Sequence, residues 1–111
     1  MEIATKQFKH CDLLTVTGRV DSATAPKLSE AFEALHSDNR FKVVLDLAGT
    51  EYMSSAGFRA LIAAQKTCKR YNRGEVVLAN VPKIIHEALE LTGMTSLFRM
   101  FNDVTTAVGS F

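Results

Sequence analysis

The sequence contains no tryptophan and only two prolines in 111 residues. It therefore offers neither an indole platform for stacking nucleic-acid bases nor a proline-rich linker. An excess of one charge is also missing, because 13 Lys and Arg against 12 Asp and Glu leave a net charge of +1. Non-specific binding to nucleic acids or anionic membranes needs a surplus of positive charge, so we expect neither partner.

Cysteine and long apolar runs are equally scarce. The two cysteines, Cys11 and Cys68, are too few for a disulfide framework and too far apart for a C-x-x-C redox pair. Met1–His10 lacks the apolar run of a signal peptide, and no stretch of about 18 apolar residues could cross a membrane. We expect a cytoplasmic protein with reduced thiols.

The composition, with 47% hydrophobic and 23% charged residues, is that of one folded domain over residues 1–111. Apolar patterns predict strands over Glu2–Phe8, Leu13–Thr17, Phe41–Leu47, Glu75–Ala79 and, as a short last strand, Leu97–Phe101. Helices are predicted with Pro26 at an early position of the first, after Gly57 for the second, over Val81–Leu91 for the third and from about Asp103 for the last. This alternation predicts an α/β fold, with a mixed sheet of four to five strands and about four helices packed against it.

Several local expectations follow from the same patterns. The segments Gly18–Thr24 and Ala48–Gly57 are predicted to be loops. The second helix should bury one face and stop at Asn72-Arg73-Gly74; that face comprises Leu61, Ala64, Cys68 and Tyr71. The third helix should turn four residues inward, namely Ile84, Ile85, Ala88 and Leu89. Cys68 is expected to be a buried, inert thiol, whereas Cys11 lies in the first turn, where a thiol can be exposed.

The segment Tyr52–Arg59 is unusual because two hydroxyls, Ser54 and Ser55, stand directly before a predicted helix. A serine there can cap the helix by accepting a bond from a backbone N–H. The same place favours an anion, including a phosphoryl group on the serine itself, since the first N–H groups have no intrahelical partner. The residue pattern leaves both interpretations open.

No motif for catalysis, a metal or a cofactor accompanies these serines. His10, His36 and His86 lack the spacing of metal ligands, and neither a G-x-S-x-G elbow nor a phosphate-binding glycine loop is present. We therefore expect a protein that is not an enzyme and needs no metal or cofactor.

The strand Val43–Leu47 (Val-Val-Leu-Asp-Leu) followed by Tyr52–Leu61 resembles the STAS domain and is most similar to bacterial anti-sigma-factor antagonists. The resemblance covers nearly the whole chain, including Leu14–Asp21. It implies a protein-binding switch: the unphosphorylated antagonist binds an anti-sigma factor that is also a serine kinase of the histidine-kinase-like ATPase type. Phosphorylation of one serine releases the partner, and a PP2C-type phosphatase restores binding.

The family pattern implies that the phosphorylated residue is Ser55, with Ser54 as second choice, because Ser54 stands where many members carry Asp. The partner surface it implies comprises Arg19, Asp21, Ser22, Thr24, Met53, Ser54, Ala56, Gly57, Phe58, Arg59 and Ile62. Met53 and Phe58 are equally compatible with a place in the core. Asp21 and Asp46 are expected to make hydrogen bonds within loops.

The resemblance is also compatible with a second functional class, namely a STAS scaffold without phosphorylation or a small subunit of a transport assembly. A monomer is the simplest expected state of the chain.

Overall fold

The computed structural model describes residues 1–70 and 74–111. Within them the five strands are β1 (Glu2–Gln7), β2 (Asp12–Val20), β3 (Lys42–Met53), β4 (Glu75–Ala79) and β5 (Met100–Phe101). The four α-helices of this part of the chain are α1 (Ala25–Ser37), α2 (Ser55–Arg70), α3 (Lys83–Leu91) and α4 (Val104–Gly109), and a 3-10 turn spans Thr95–Leu97.

The strands form one sheet in the order β1-β2-β3-β4-β5. β1 runs antiparallel to β2, to which a tight turn joins it, whereas the pairs β2–β3, β3–β4 and β4–β5 are parallel. Parallel neighbours need a crossover connection, and α1, α2 and α3 supply it. The predicted α/β class with a mixed sheet is confirmed.

The core lies on both faces of this sheet. On one face, the strands pack against α1, α2 and α3 through buried residues such as Leu28, Leu61 and Leu89. On the other face, a smaller cluster joins Val44 and Val77 to Ala107 of α4, with further buried members Cys11 and Ala79. β3 therefore begins as a central strand that is covered on both faces.

β2 and β3 are longer than their sequence predicts, so the expected loops at 18–24 and 48–57 are partly wrong. The two strands stay paired through Thr17↔Gly49, Arg19↔Tyr52 and Val20↔Met53, with two register shifts along the way. Such bulges break the alternation by which a strand is recognised in sequence. Gly49 avoids crowding at this pairing, because a Cβ there would lie 2.7 Å from Thr17 Cγ2.

Other local expectations also need correction. Ile84 is 64% exposed, because α3 turns only the stripe through Ile85 and Leu89 into the core. Cys11 is buried rather than exposed, since it packs in the smaller cluster. Cys68 is buried as expected, and burial raises the pKa of its thiol to about 11.

The last predicted strand is shortened to β5, because Leu97 belongs to the 3-10 turn and pairing with β4 begins only at Met100. The expected places of Tyr71 on the buried helix face and of Asn72 and Arg73 at the helix stop lie outside the described residues.

A buried amide ties α2 to the sheet. Gln65 is 5% exposed, and its Nε2 donates to the carbonyl oxygens of Val76 (3.1 Å) and Leu97 (2.6 Å). Its Oε1 accepts from the Val76 N–H at 2.6 Å. Because buried backbone groups need partners, this side chain fixes how α2 sits on β4 and on the 3-10 turn.

Replacing this amide tests its role. Gln65→Leu keeps the volume but leaves three buried bonds unmade, so we expect the free energy of unfolding to fall by about 2–4 kcal/mol. Urea unfolding measures the change, with the exposed neighbour Lys66→Leu as the matched control, for which we expect a change within about 0.5 kcal/mol. Equal effects of the two substitutions would contradict this assignment.

Candidate functional site

The site lies where β2 and β3 end side by side. Val20 and Met53 are paired, and the next backbone N–H, that of Ser54, donates to the Val20 carbonyl at 2.8 Å. α2 begins immediately afterwards at Ser55, and the Phe58 N–H donates to the Ser54 carbonyl at 3.1 Å. The chain therefore passes from strand to helix with no intervening loop, which fixes the direction of both serines.

The two serines differ in access to solvent. Ser55, the first residue of α2, is exposed. Ser54 is half-buried, and its Oγ is fully covered and has no hydrogen-bond partner among the described residues. The capping role that the sequence left open is therefore not filled by Ser54, whose hydroxyl could not receive a group from outside without local movement.

The turn after β2 is held by Asp21 and Thr24. Asp21 Oδ1 accepts from the backbone N–H groups of Ala23 (3.0 Å) and Thr24 (3.1 Å), and the Thr24 hydroxyl accepts from the Asp21 N–H at 2.9 Å. The hydrogen bond from the Thr24 backbone N–H is the largest of the causes that lower the pKa of the Asp21 carboxyl below its ordinary value. The expected loop role of Asp21 is confirmed, and its carboxylate is a fixed negative charge beside the start of α1.

Arg19 and Tyr52 form a contact that no pattern in the sequence predicts. The guanidinium carbon of Arg19 lies 4.4 Å from the centre of the Tyr52 ring, a cation–π geometry, and both side chains are exposed. The strand pairing brings them together, since Arg19 and Tyr52 are register partners. Only knowledge that β2 and β3 remain paired to their ends could have revealed this contact.

The other predicted site residues divide by burial. Met53 and Gly57 are buried, so Met53 takes the place in the core that was one of its two expected roles. Ala56, Phe58 and Ile62 are half-buried, whereas Ser22 and Arg59 are exposed. An exposed and half-exposed surface around Ser55 thus comprises Arg19, Asp21, Ser22, Thr24, Tyr52, Ala56, Phe58, Arg59 and Ile62; we name it the Ser55 surface.

Asp46 lies apart from this surface. Its Oδ1 accepts from the Ala48 N–H at 3.0 Å and from the Asn80 side chain at 3.1 Å, so its expected hydrogen-bonding role is confirmed. In the part of the chain that the structure describes, no group of three or more His, Cys, Asp or Glu side chains could hold a metal ion. No helix there is long and apolar enough to span a bilayer.

The chain matches a known family over most of its length. Residues 3–100 match the family model described as "Mlab, STAS domain". This chain belongs to the STAS-domain family. BtrV of Bordetella bronchiseptica, provisionally named an anti-sigma factor antagonist, is 33% identical over 94 residues, or 85% of this chain and 80% of BtrV. The anti-sigma-B factor antagonist of Listeria monocytogenes is 29% identical over 102 residues, or 92% of this chain and 88% of its own length.

Solved structures agree on the STAS fold. The anti-sigma factor antagonist SpoIIAA in its unphosphorylated form superposes with a TM-score of 0.84 at 10% identity, over 98% of this chain and 95% of SpoIIAA. The phosphorylated form of SpoIIAA from Bacillus gives 0.79 at 9% identity, over 98% of both chains. Identities this low support the shared fold alone, and it is the relatives from Bordetella and Listeria that carry anti-sigma factor antagonist names at higher identity.

The start of α2 in this STAS domain depends on the small size of Gly57. A Cβ built there would lie 2.6 Å from Met53 Cγ and 2.9 Å from Val20 Cγ1. We therefore expect Gly57→Ala to lower the free energy of unfolding by about 1–3 kcal/mol, because the helix start or the Met53 and Val20 side chains must shift. Thermal or urea unfolding measures the loss.

Gly109→Ala is the matched control, because a Cβ at Gly109 of α4 has no neighbour within 4 Å. We expect it to leave stability unchanged or slightly raised. A Gly57→Ala protein as stable as the Gly109→Ala protein would contradict the close packing at the start of α2.

Proposed function

We propose that this STAS domain is an anti-sigma factor antagonist whose binding to its partner is controlled by phosphorylation of Ser55. The observation that carries the proposal is the difference between neighbouring hydroxyls: Ser55 is exposed at the first position of α2, whereas Ser54 Oγ is covered. The antagonist names of the relatives from Bordetella and Listeria support the general function.

The proposed partner is an anti-sigma factor that also acts as a serine kinase. In the transfer, the γ-phosphorus of ATP forms a bond to Ser55 Oγ and its bond to the ADP leaving group breaks. The hydroxyl proton passes to a base of the kinase or to water. A phosphatase of the PP2C type reverses the modification by hydrolysis and returns the serine to its neutral form.

The start of α2 tolerates the added charge within the free protein. A phosphoryl group carries about −1.5 to −2 charges at neutral pH, and the N-terminal end of a helix favours a negative charge. Arg59 follows one turn later on the same helix face, at the i,i+4 spacing at which opposite charges attract. We therefore expect the phosphorylated domain to keep its fold.

The same charge opposes binding, because a complex formed over the Ser55 surface would desolvate it. Phe58 and Ile62 supply half-buried apolar area beside Ser55, and Arg19 with Tyr52 supplies an aromatic and cationic pair of the kind enriched in binding hot spots. If desolvation and repulsion together cost roughly 3 kcal/mol, affinity falls by about a hundredfold.

Mapping the phosphoryl group tests the choice of residue. With ATP and a kinase of the proposed type encoded by the same organism, we expect one phosphoryl group on the wild-type protein, located at Ser55 by mass spectrometry. Ser55→Ala should remain unmodified, because the covered Ser54 hydroxyl cannot reach a kinase active site. Ser54→Ala is the matched control and should be modified like the wild type.

Modification at Ser54 in both the wild-type protein and the Ser55→Ala protein would contradict the assignment. A domain that binds the anti-sigma factor but accepts no phosphoryl group from it would favour the alternative, a STAS scaffold or transport subunit without this control.

A further inference from the structure

The exposed edge of β1 carries an unused pairing surface. β1 is the first strand of the sheet, and five of its six residues are exposed; Ile3 is half-buried. An edge strand presents backbone N–H and C=O groups to any strand that can align with it. Along this edge, Glu2 and Lys6 carry opposite charges, and each is two residues away from Ala4 in the sequence.

The hairpin geometry decides which backbone groups point outward. The Phe8 N–H donates to the Cys11 carbonyl at 2.8 Å, so Phe8 and Cys11 form a hydrogen-bonded pair. Such pairs alternate along an antiparallel ladder. Glu2, Ala4 and Lys6 therefore bond to β2, while the backbone groups of Ile3 and Thr5 point away from it.

From this edge the geometry points to a homodimer in which β1 pairs antiparallel with β1 of a second copy, about a two-fold axis at Ala4. In that register Ile3 faces Thr5 of the second copy, and the two residues exchange both backbone bonds. Ala4 faces its own counterpart. Glu2 faces Lys6, so each copy supplies the charge that the other needs, as an isologous interface requires.

Other registers fit less well. A shift of the register by one residue would place the outward-pointing N–H and C=O groups of one copy opposite residues whose backbone groups already bond to β2. Only shifts by an even number of residues therefore allow hydrogen bonds between the two strands. A two-fold axis at Thr5 would place Lys6 opposite Ala4 and Glu2 opposite Phe8, with no charge pair. A two-fold axis at Ala4 thus lets the outward-pointing backbone groups form hydrogen bonds and also places each Glu2 opposite a Lys6.

The side of β1 that faces α1 has room for side chains of the second copy. A groove of about 420 Å³ lies between β1 and α1, and its lining residues are Met1, Ile3, Thr5, Lys27, Glu30 and Ala31. A lysine on a free edge discourages pairing with other strands in general. When Lys6 lies opposite Glu2 of the second copy, the two opposite charges instead favour the proposed pairing. The inference differs from the monomer expected from the sequence and does not depend on phosphorylation.

A cysteine at the two-fold axis gives the sharpest test. Residues facing each other in a non-hydrogen-bonded antiparallel pair have Cα atoms about 4.5 Å apart, within the range that a disulfide bridges. The native Cys11 and Cys68 are buried. Under mild oxidation, we expect Ala4→Cys to form a disulfide-linked dimer roughly tenfold faster than Lys6→Cys, whose counterpart lies beyond bridging distance.

Charge reversal tests the register independently. In sedimentation experiments across micromolar to millimolar concentrations, the wild type should associate, and Glu2→Lys or Lys6→Glu alone should weaken association because like charges then oppose each other. The double variant Glu2→Lys/Lys6→Glu should restore it. Circular dichroism checks that each variant folds.

Three results would overturn the inference. One is equal cross-linking rates for Ala4→Cys and Lys6→Cys. Another is faster cross-linking of Thr5→Cys than of Ala4→Cys, which would indicate a different register. The third is a wild-type protein that remains monomeric throughout the concentration series, which would leave the β1 edge to a strand of another protein or to solvent.

Discussion

The parallel pairing of β2 and β3 up to their last residues is the constraint on which the candidate site depends. Because Val20 and Met53 are register partners and the Ser54 N–H bonds to the Val20 carbonyl, α2 must begin directly against the end of β2. Gly57 allows that approach, since any side chain there would meet both strands. One serine is consequently turned inward and the next outward.

In the proposed function, modification of Ser55 changes partner binding and leaves the fold intact, and this arrangement gives the physical reason. The Asp21–Thr24 turn and the paired ends of β2 and β3 hold the surroundings of Ser55 in place. The buried amide of Gln65 fixes the later part of α2 on β4. A charge added to a rigid surface changes what that surface can bind, whereas a charge added to a core residue would destabilise the domain.

Sequence patterns predicted the fold well where residues follow a simple period. The apolar run Val43–Leu47 and the amphipathic stripe of α1 identified a buried strand and a helix, and both are present. The second halves of β2 and β3 were missed, because register shifts and small residues conceal a strand whose partner lies elsewhere in the chain. Ile84 was misassigned because α3 is apolar on two sides but packs on one.

The candidate site was also predictable only in part. The family pattern led to Ser55, but sequence alone could not tell that Ser54 Oγ is covered or that Arg19 lies over Tyr52. Both facts arise from pairing between distant segments. The partner surface expected from the family pattern is also reduced, because Met53 and Gly57 belong to the interior of the domain.

The most direct test of the central claim is the dissociation constant of the anti-sigma factor complex, measured by calorimetry with the unphosphorylated protein and with protein phosphorylated stoichiometrically at Ser55. We expect a loss of affinity of about a hundredfold, with the circular dichroism spectrum and the unfolding midpoint of the phosphorylated protein nearly unchanged. Equal affinities for the two forms, or a phosphorylated form that has unfolded, would contradict it.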